Sequence, residues 1–238
     1  VRTDSLARRV LEGILPGRVS PAAPELARLS ELALRFRTRR QPVLPESGEL
    51  LVRVEVASDS ARGQLGIVTG GERGILHLLR EGVFLQTRTL TPTGPPFEAV
   101  MECPRLQPAA DWKAIQTDQA WSEVLALVRE AETRAGVLLA WSWHQGRLPV
   151  QARTSVQVAL RTWPDLAEKA AAAPLFLTAE GLVSLDRLRG AVEQGEELLT
   201  ARDLDLEAVP GKLVLPESEC ALIRQLLPRA RFASARPW

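Results

Sequence analysis

The sequence predicts an α+β protein: an N-terminal helix pair packed on an antiparallel β-meander, followed by a mixed α/β lobe. Three observations lead to this fold class. Apolar residues recur at helical spacing in the first 36 positions, and from Leu50 onward they switch to a spacing of two. After residue 116, helical and extended patterns alternate, which is typical of an α/β arrangement with some parallel strand pairing.

Two amphipathic helices are predicted before the meander. In residues 4–15 the apolar side chains recur every three or four positions, and the pattern stops at Pro16-Gly17. The second helix begins after Pro24, and its apolar face is formed by Leu26, Leu29, Ala33 and Phe36. Both helices end in proline-containing segments.

The meander is predicted over residues 50–103. In residues 50–57 every second side chain is a Leu or a Val, which is the pattern of a half-buried strand. Turn residues such as Gly70-Gly71 separate four further β segments, at residues 64–69, 74–79, 83–90 and 97–103. A helix at residues 75–80 is the alternative for the second of these segments. Strands joined by such turns are expected to pair antiparallel with their neighbours along the chain.

The predicted domains are residues 1–106 and 107–238, with a single continuous domain as the alternative. Residues 104–111 hold two prolines and few large apolar groups, as a domain boundary does. The second lobe begins with a helix capped by Thr117 or Asp118 and ended by Gly136. The elements predicted after it are strands at 137–143 and 154–161, a helix from Pro164 to Pro174, an extended segment at 175–178, a helix at 184–199 and an extended segment at 212–215. The last predicted element is a helix at 216–227, with the acids Glu217 and Glu219 in its first turn.

Composition narrows the class of protein. A net charge of +1 is too balanced to indicate a polyanionic partner, and the preponderance of Arg over Lys is typical of a GC-rich bacterial genome. Cys103 and Cys220 lie far apart and are expected to be reduced thiols of a cytoplasmic protein. No segment approaches the roughly 20 consecutive apolar residues of a membrane helix, so we expect no membrane partner.

The standard motifs of catalysis and cofactor binding are absent from the sequence, including nucleophile elbows, phosphate-binding loops and paired metal-binding histidines. His77 and His144 are the only histidines, and neither lies within helical reach of a cysteine. This pattern favours a non-catalytic binding or assembly protein with no cofactor.

The basic residues are unevenly distributed. Residues 1–40 hold nine basic and four acidic side chains, and the surplus is concentrated in Arg28, Arg35, Arg37, Arg39 and Arg40. Cations at a helix C-terminus stabilise the helix dipole, which is the structural interpretation of this Arg cluster. The functional interpretation is contact with the phosphates of nucleic acid. A protein partner is the other possibility, and an unpaired edge of the meander leaves homodimer formation open.

Three acidic residues suggest an alternative function. Asp203, Asp205 and Glu207 alternate with apolar residues, so a strand would place the three carboxylates on one face. Carboxylate oxygens suit Mg²⁺, which would indicate a metal-dependent enzyme acting on phosphate esters. The simpler interpretation is the solvent-facing side of an edge strand.

A third function follows from a resemblance. Arg35-x-x-x-Arg39, a strand and then Ser60-Ala61-Arg62-Gly63 resemble part of the pattern of PilZ domains. The resemblance implies a β-barrel that binds cyclic di-GMP through these two elements, and hence a nucleotide or cyclic-dinucleotide sensor. Ser58 stands two places before Ser60, where the family has an acid or an amide, and Asp59 follows one place late.

Overall fold

The structure is a computed structural model that describes residues 42–44, 50–109, 114–202 and 206–235. It contains both helices and sheets, so the α+β class is confirmed. The predicted N-terminal helix pair lies outside the described residues. Every helix of the described ranges follows the first sheet in the chain.

A five-stranded sheet forms the first part of the described chain, and all five predicted strands are present. Its strands are β1 (Leu50–Ala57), β2 (Arg62–Val68), β3 (Gly74–Arg80), β4 (Val83–Leu90) and β5 (Phe97–Glu102), and their order in the sheet is β1-β2-β5-β3-β4.

The predicted meander is wrong at β5. β1 and β2 form an antiparallel hairpin, and so do β3 and β4, but β5 inserts between β2 and β3. It pairs antiparallel with β2 and parallel with β3. The segment 69–73 is therefore a crossover loop, although Gly70 and Gly71 have the positive φ angles (80° and 83°) common in hairpin turns. β5 carries buried apolar side chains on both faces, as an interior strand does.

The longest helix, α1 (Gln119–His144), packs against β1 and β2. Its N-terminus confirms the predicted cap, because the Asp118 Oδ1 accepts a hydrogen bond of 3.0 Å from the Trp121 N–H. The side of the sheet that faces α1, here called the inner face, carries the alternating apolar residues of β1, including Val52 and Val56. One hydrophobic core runs from this face through α1 into the C-terminal elements.

The predicted end of α1 at Gly136, and the strand predicted at 137–143, are wrong. The helix continues through both. Gly136 does not end it but makes room for Trp163, because a Cβ at this position would lie 2.5 Å from the Trp163 Cζ3. A strand would place Trp141 and Trp143 together on a core face, but the helix directs the two side chains to different surroundings. Trp143 is buried, whereas Trp141 is 44% exposed.

The C-terminal elements differ from the prediction mainly at 154–161, where the structure has a helix. Buried Ser155, Val156, Ala159 and Leu160 follow helical spacing, although the apolar residues of the segment also alternate. The elements after α1 are 3₁₀ turns at Val150–Ala152 and Pro164–Leu166, α2 (Arg153–Thr162), α3 (Ala167–Ala170), β6 (Pro174–Thr178), β7 (Gly181–Ser184), α4 (Leu185–Glu193), β8 (Leu198–Ala201), β9 (Val214–Pro216), α5 (Glu217–Leu226) and β10 (Phe232–Ser234).

Parallel pairing in the C-terminal part confirms its mixed α/β character. β8 lies between β9 and β10 and pairs parallel with both. α5 follows β9 directly, with Glu217 and Glu219 in its first turn as predicted. The division of the chain at 106/107 stays a prediction, and Leu106 and Ile115 belong to the same core as the sheet and α1.

Among the helices of the described ranges, including the 26-residue α1, none combines the length and apolar character that crossing a bilayer needs.

Two helical glycines give a matched test of the packing around α1. Helix propensity alone predicts that Ala at Gly136 or at Gly190 stabilises the protein by roughly 0.5–1 kcal/mol. We expect this gain only for Gly190→Ala, because a Cβ at Gly190 meets no atom within 4 Å. Gly136→Ala should lower the free energy of unfolding by about 1–3 kcal/mol, because its Cβ overlaps the Trp163 ring. Urea denaturation measures both, and equal stabilisation by the two variants would contradict this packing.

Candidate binding face

Three glutamates of the described chain are buried, and each pairs with an arginine. Glu102, Glu132 and Glu219 are at most 4% exposed. The pairs are Arg62–Glu102, Arg129–Glu132 and Arg153–Glu219. A buried carboxylate without such a partner is costly, so the position of each glutamate depends on what it binds.

Glu102 fixes the turn between β3 and β4. Its Oε2 accepts hydrogen bonds from the Arg62 Nε at 2.7 Å and pairs with the Arg62 Nη2 at 2.6 Å. Its Oε1 accepts from the Gly82 N–H at 2.5 Å. The turn contains Glu81 with a φ of 52°, a conformation that non-glycine residues rarely adopt, and the carboxylate holds the backbone in it.

Glu132, a residue of α1, holds the loop that precedes β5 against this helix. Its carboxylate accepts from the Thr93 N–H at 2.7 Å and from the Arg129 Nη1 at 2.7 Å. The Arg129 Nη2 donates to the Thr91 carbonyl at 3.0 Å. The same loop brings Gly94 against Trp163, so the start of β5 is tied to two helices.

Glu219 joins three C-terminal elements. From the first turn of α5 it pairs with Arg153 of α2 and accepts from the Gln157 Nε2 at 2.6 Å. It also accepts from the Leu177 N–H of β6 at 3.4 Å. All three buried carboxylates thus act as connections between elements.

The side of the sheet turned away from α1, here called the outer face, has three rows of side chains that cross all five strands in register. Side chains directly opposite on neighbouring strands lie about 4.5–5.5 Å apart, so the rows form one surface. The rows are Ala57–Arg62–Glu102–Leu79–Phe84, Glu55–Gln64–Val100–His77–Thr87 and Arg53–Gly66–Glu98–Ile75–Thr89.

His77 is held in place on this face. Its Nδ1 lies 2.9 Å from the Thr87 Oγ1, and its Nε2 lies 3.1 Å from the Glu98 Oε1. The Phe84 ring is 6.4 Å from the imidazole. Ile75 and Phe84 are 41% and 37% exposed, so this part of the outer face combines a positioned imidazole with accessible apolar surface.

Leu44 attaches the preceding chain to the outer face. Its N–H donates to the Gln64 Oε1 at 2.9 Å, and the Gln64 Nε2 donates to the Glu55 Oε1 at 2.6 Å. The Leu44 side chain is only 1% exposed and packs with Leu79 and Val100. The chain is therefore fixed over the middle of the sheet at this residue.

Gly66 makes room for that attachment. A Cβ at this position would lie 2.5 Å from the Leu50 Cδ2 and 3.3 Å from the Leu44 Cδ1. A larger residue at Gly66 would require the Leu50 side chain to move and the Leu44 side chain to shift slightly.

The residues that the sequence proposed for binding and for metal do not come together in the described part of the chain. Arg28, Arg35, Arg37, Arg39, Arg40, Asp203 and Asp205 lie outside it. Glu207 is exposed, and residues 206–208 form no strand, so the proposed strand face is not present there. No group of three or more His, Cys, Asp or Glu within the described residues could hold a metal ion. The magnesium hypothesis stays a prediction.

The element that resembles a PilZ domain forms the turn between β1 and β2. Ser58 closes this turn, because its Oγ accepts from the Ser60 N–H at 3.2 Å and from the Ala61 N–H at 3.0 Å. A Cβ at Gly63 would lie 1.9 Å from the Val100 carbonyl oxygen, so the glycine serves packing. The described strands form an open sheet with edges at β1 and β4, not a barrel. Cyclic-dinucleotide binding stays a prediction.

Sequence reasoning missed the outer face, although one signal for it was present. In β3 the residues Ile75, His77 and Leu79 alternate with the buried Leu76 and Leu78, which assigns them to the face away from the core. Cys103 and Cys220 are buried and form no disulfide with each other. The chain matches no protein-family model and no curated protein.

The Arg62–Glu102 pair gives a test of the outer face. The Arg62 side chain is 70% exposed, yet we expect Arg62→Ala to lower the free energy of unfolding by about 2–3 kcal/mol, because it leaves the buried Glu102 carboxylate without its cation. Arg187→Ala, at an exposed arginine of α4, is the matched control and should change stability by less than about 0.5 kcal/mol. Urea denaturation compares them, and equal small effects would show that Glu102 does not need Arg62.

Proposed function

We propose that this protein is a non-catalytic binding or assembly protein of the bacterial cytoplasm. Its ligand is a nucleic acid, contacted through Arg28, Arg35, Arg37, Arg39 and Arg40. The observation that supports the proposal is the attachment of Leu44, four residues after Arg40, to the outer face of the five-stranded sheet.

Chain connectivity relates the Arg cluster to the outer face. Arg40 precedes Leu44 by four residues. Leu44 itself is held on the outer face, which also carries the 70% exposed side chain of Arg62, paired with Glu102. A nucleic acid that contacts both the cluster and the outer face would meet basic groups of both.

The contacts of the buried carboxylates support a scaffold whose function is to present the outer face to a ligand. Glu102, Glu132 and Glu219 each accept hydrogen bonds from a backbone N–H as well as from an arginine. These contacts hold turns and elements in place. The accessible apolar groups Ile75 and Phe84 lie on the outer face, where a ligand can reach them.

Salt-dependent binding tests the proposed function. We expect a fluorescently labelled single-stranded or duplex oligonucleotide to bind the full chain with an affinity that falls as salt rises, because each neutralised phosphate releases counterions. The variant Arg37→Ala, Arg39→Ala, Arg40→Ala should bind at least about tenfold more weakly and show a shallower salt slope.

The matched control removes the same number of charges elsewhere. Arg187, Arg202 and Arg229 are exposed, and the variant with Ala at all three should bind like the wild type. Equal loss in both triple variants would indicate a general charge effect, and binding unchanged by the first variant would remove the Arg cluster from the interface.

A further inference from the structure

We draw no further inference here: the strongest candidate, the apolar patch of Ile75 and Phe84 beside His77 on the outer face of the sheet, carries none, because the segment attached to this face at Leu44 continues on both sides into residues outside the described ranges and nothing in the structure shows what covers the patch.

Discussion

The packing of α1 on both of its sides is the constraint on which the rest of the structure depends. One side covers the inner face of the sheet at β1 and β2, and the other packs against α2 and α3. Gly136 allows the Trp163 ring to approach the helix, and Glu132 ties the loop before β5 to it. The core is continuous across α1, so the sheet and the C-terminal elements share the apolar surface that stabilises them. α1 therefore covers the inner face of the sheet mainly at β1 and β2.

The polar groups of the protein divide between interior connections and the outer face. Buried glutamates hold a turn, a loop and the junction of α2, β6 and α5, and such contacts give a rigid frame. On the outer face the polar groups bond to one another across strands, as His77 does with Thr87 and Glu98. Leu44 is fixed to this face by its hydrogen bond to the Gln64 side chain and by its packing with Leu79 and Val100.

Local patterns predicted much of this fold, and long-range contacts account for what they did not predict. The alternation in β1, the Asp118 cap and the acidic first turn of α5 are short-range signals, and each is confirmed. The place of β5 depends on parallel pairing with β3, which no local signal specifies. Gly136 is typical of a helix end, but its reason is Trp163, far along the chain. The contact that positions His77 is with Glu98, which lies 21 positions later on a neighbouring strand, so no local pattern indicates it. The Arg cluster and the acidic residues near 205 lie largely beyond the described ranges, so their roles stay predictions.

Native-state hydrogen exchange on the full chain measures most directly whether α1 joins the molecule into one cooperative unit. The amides of Leu65 in β2, Val128 in α1 and Leu160 in α2 belong to residues that are at most 1% exposed. If α1 unites the core, these three amides open with the same free energy and the same dependence on denaturant. If β2 opens at a clearly lower free energy than α1 and α2, the sheet unfolds on its own and the shared core is not the basis of the structure.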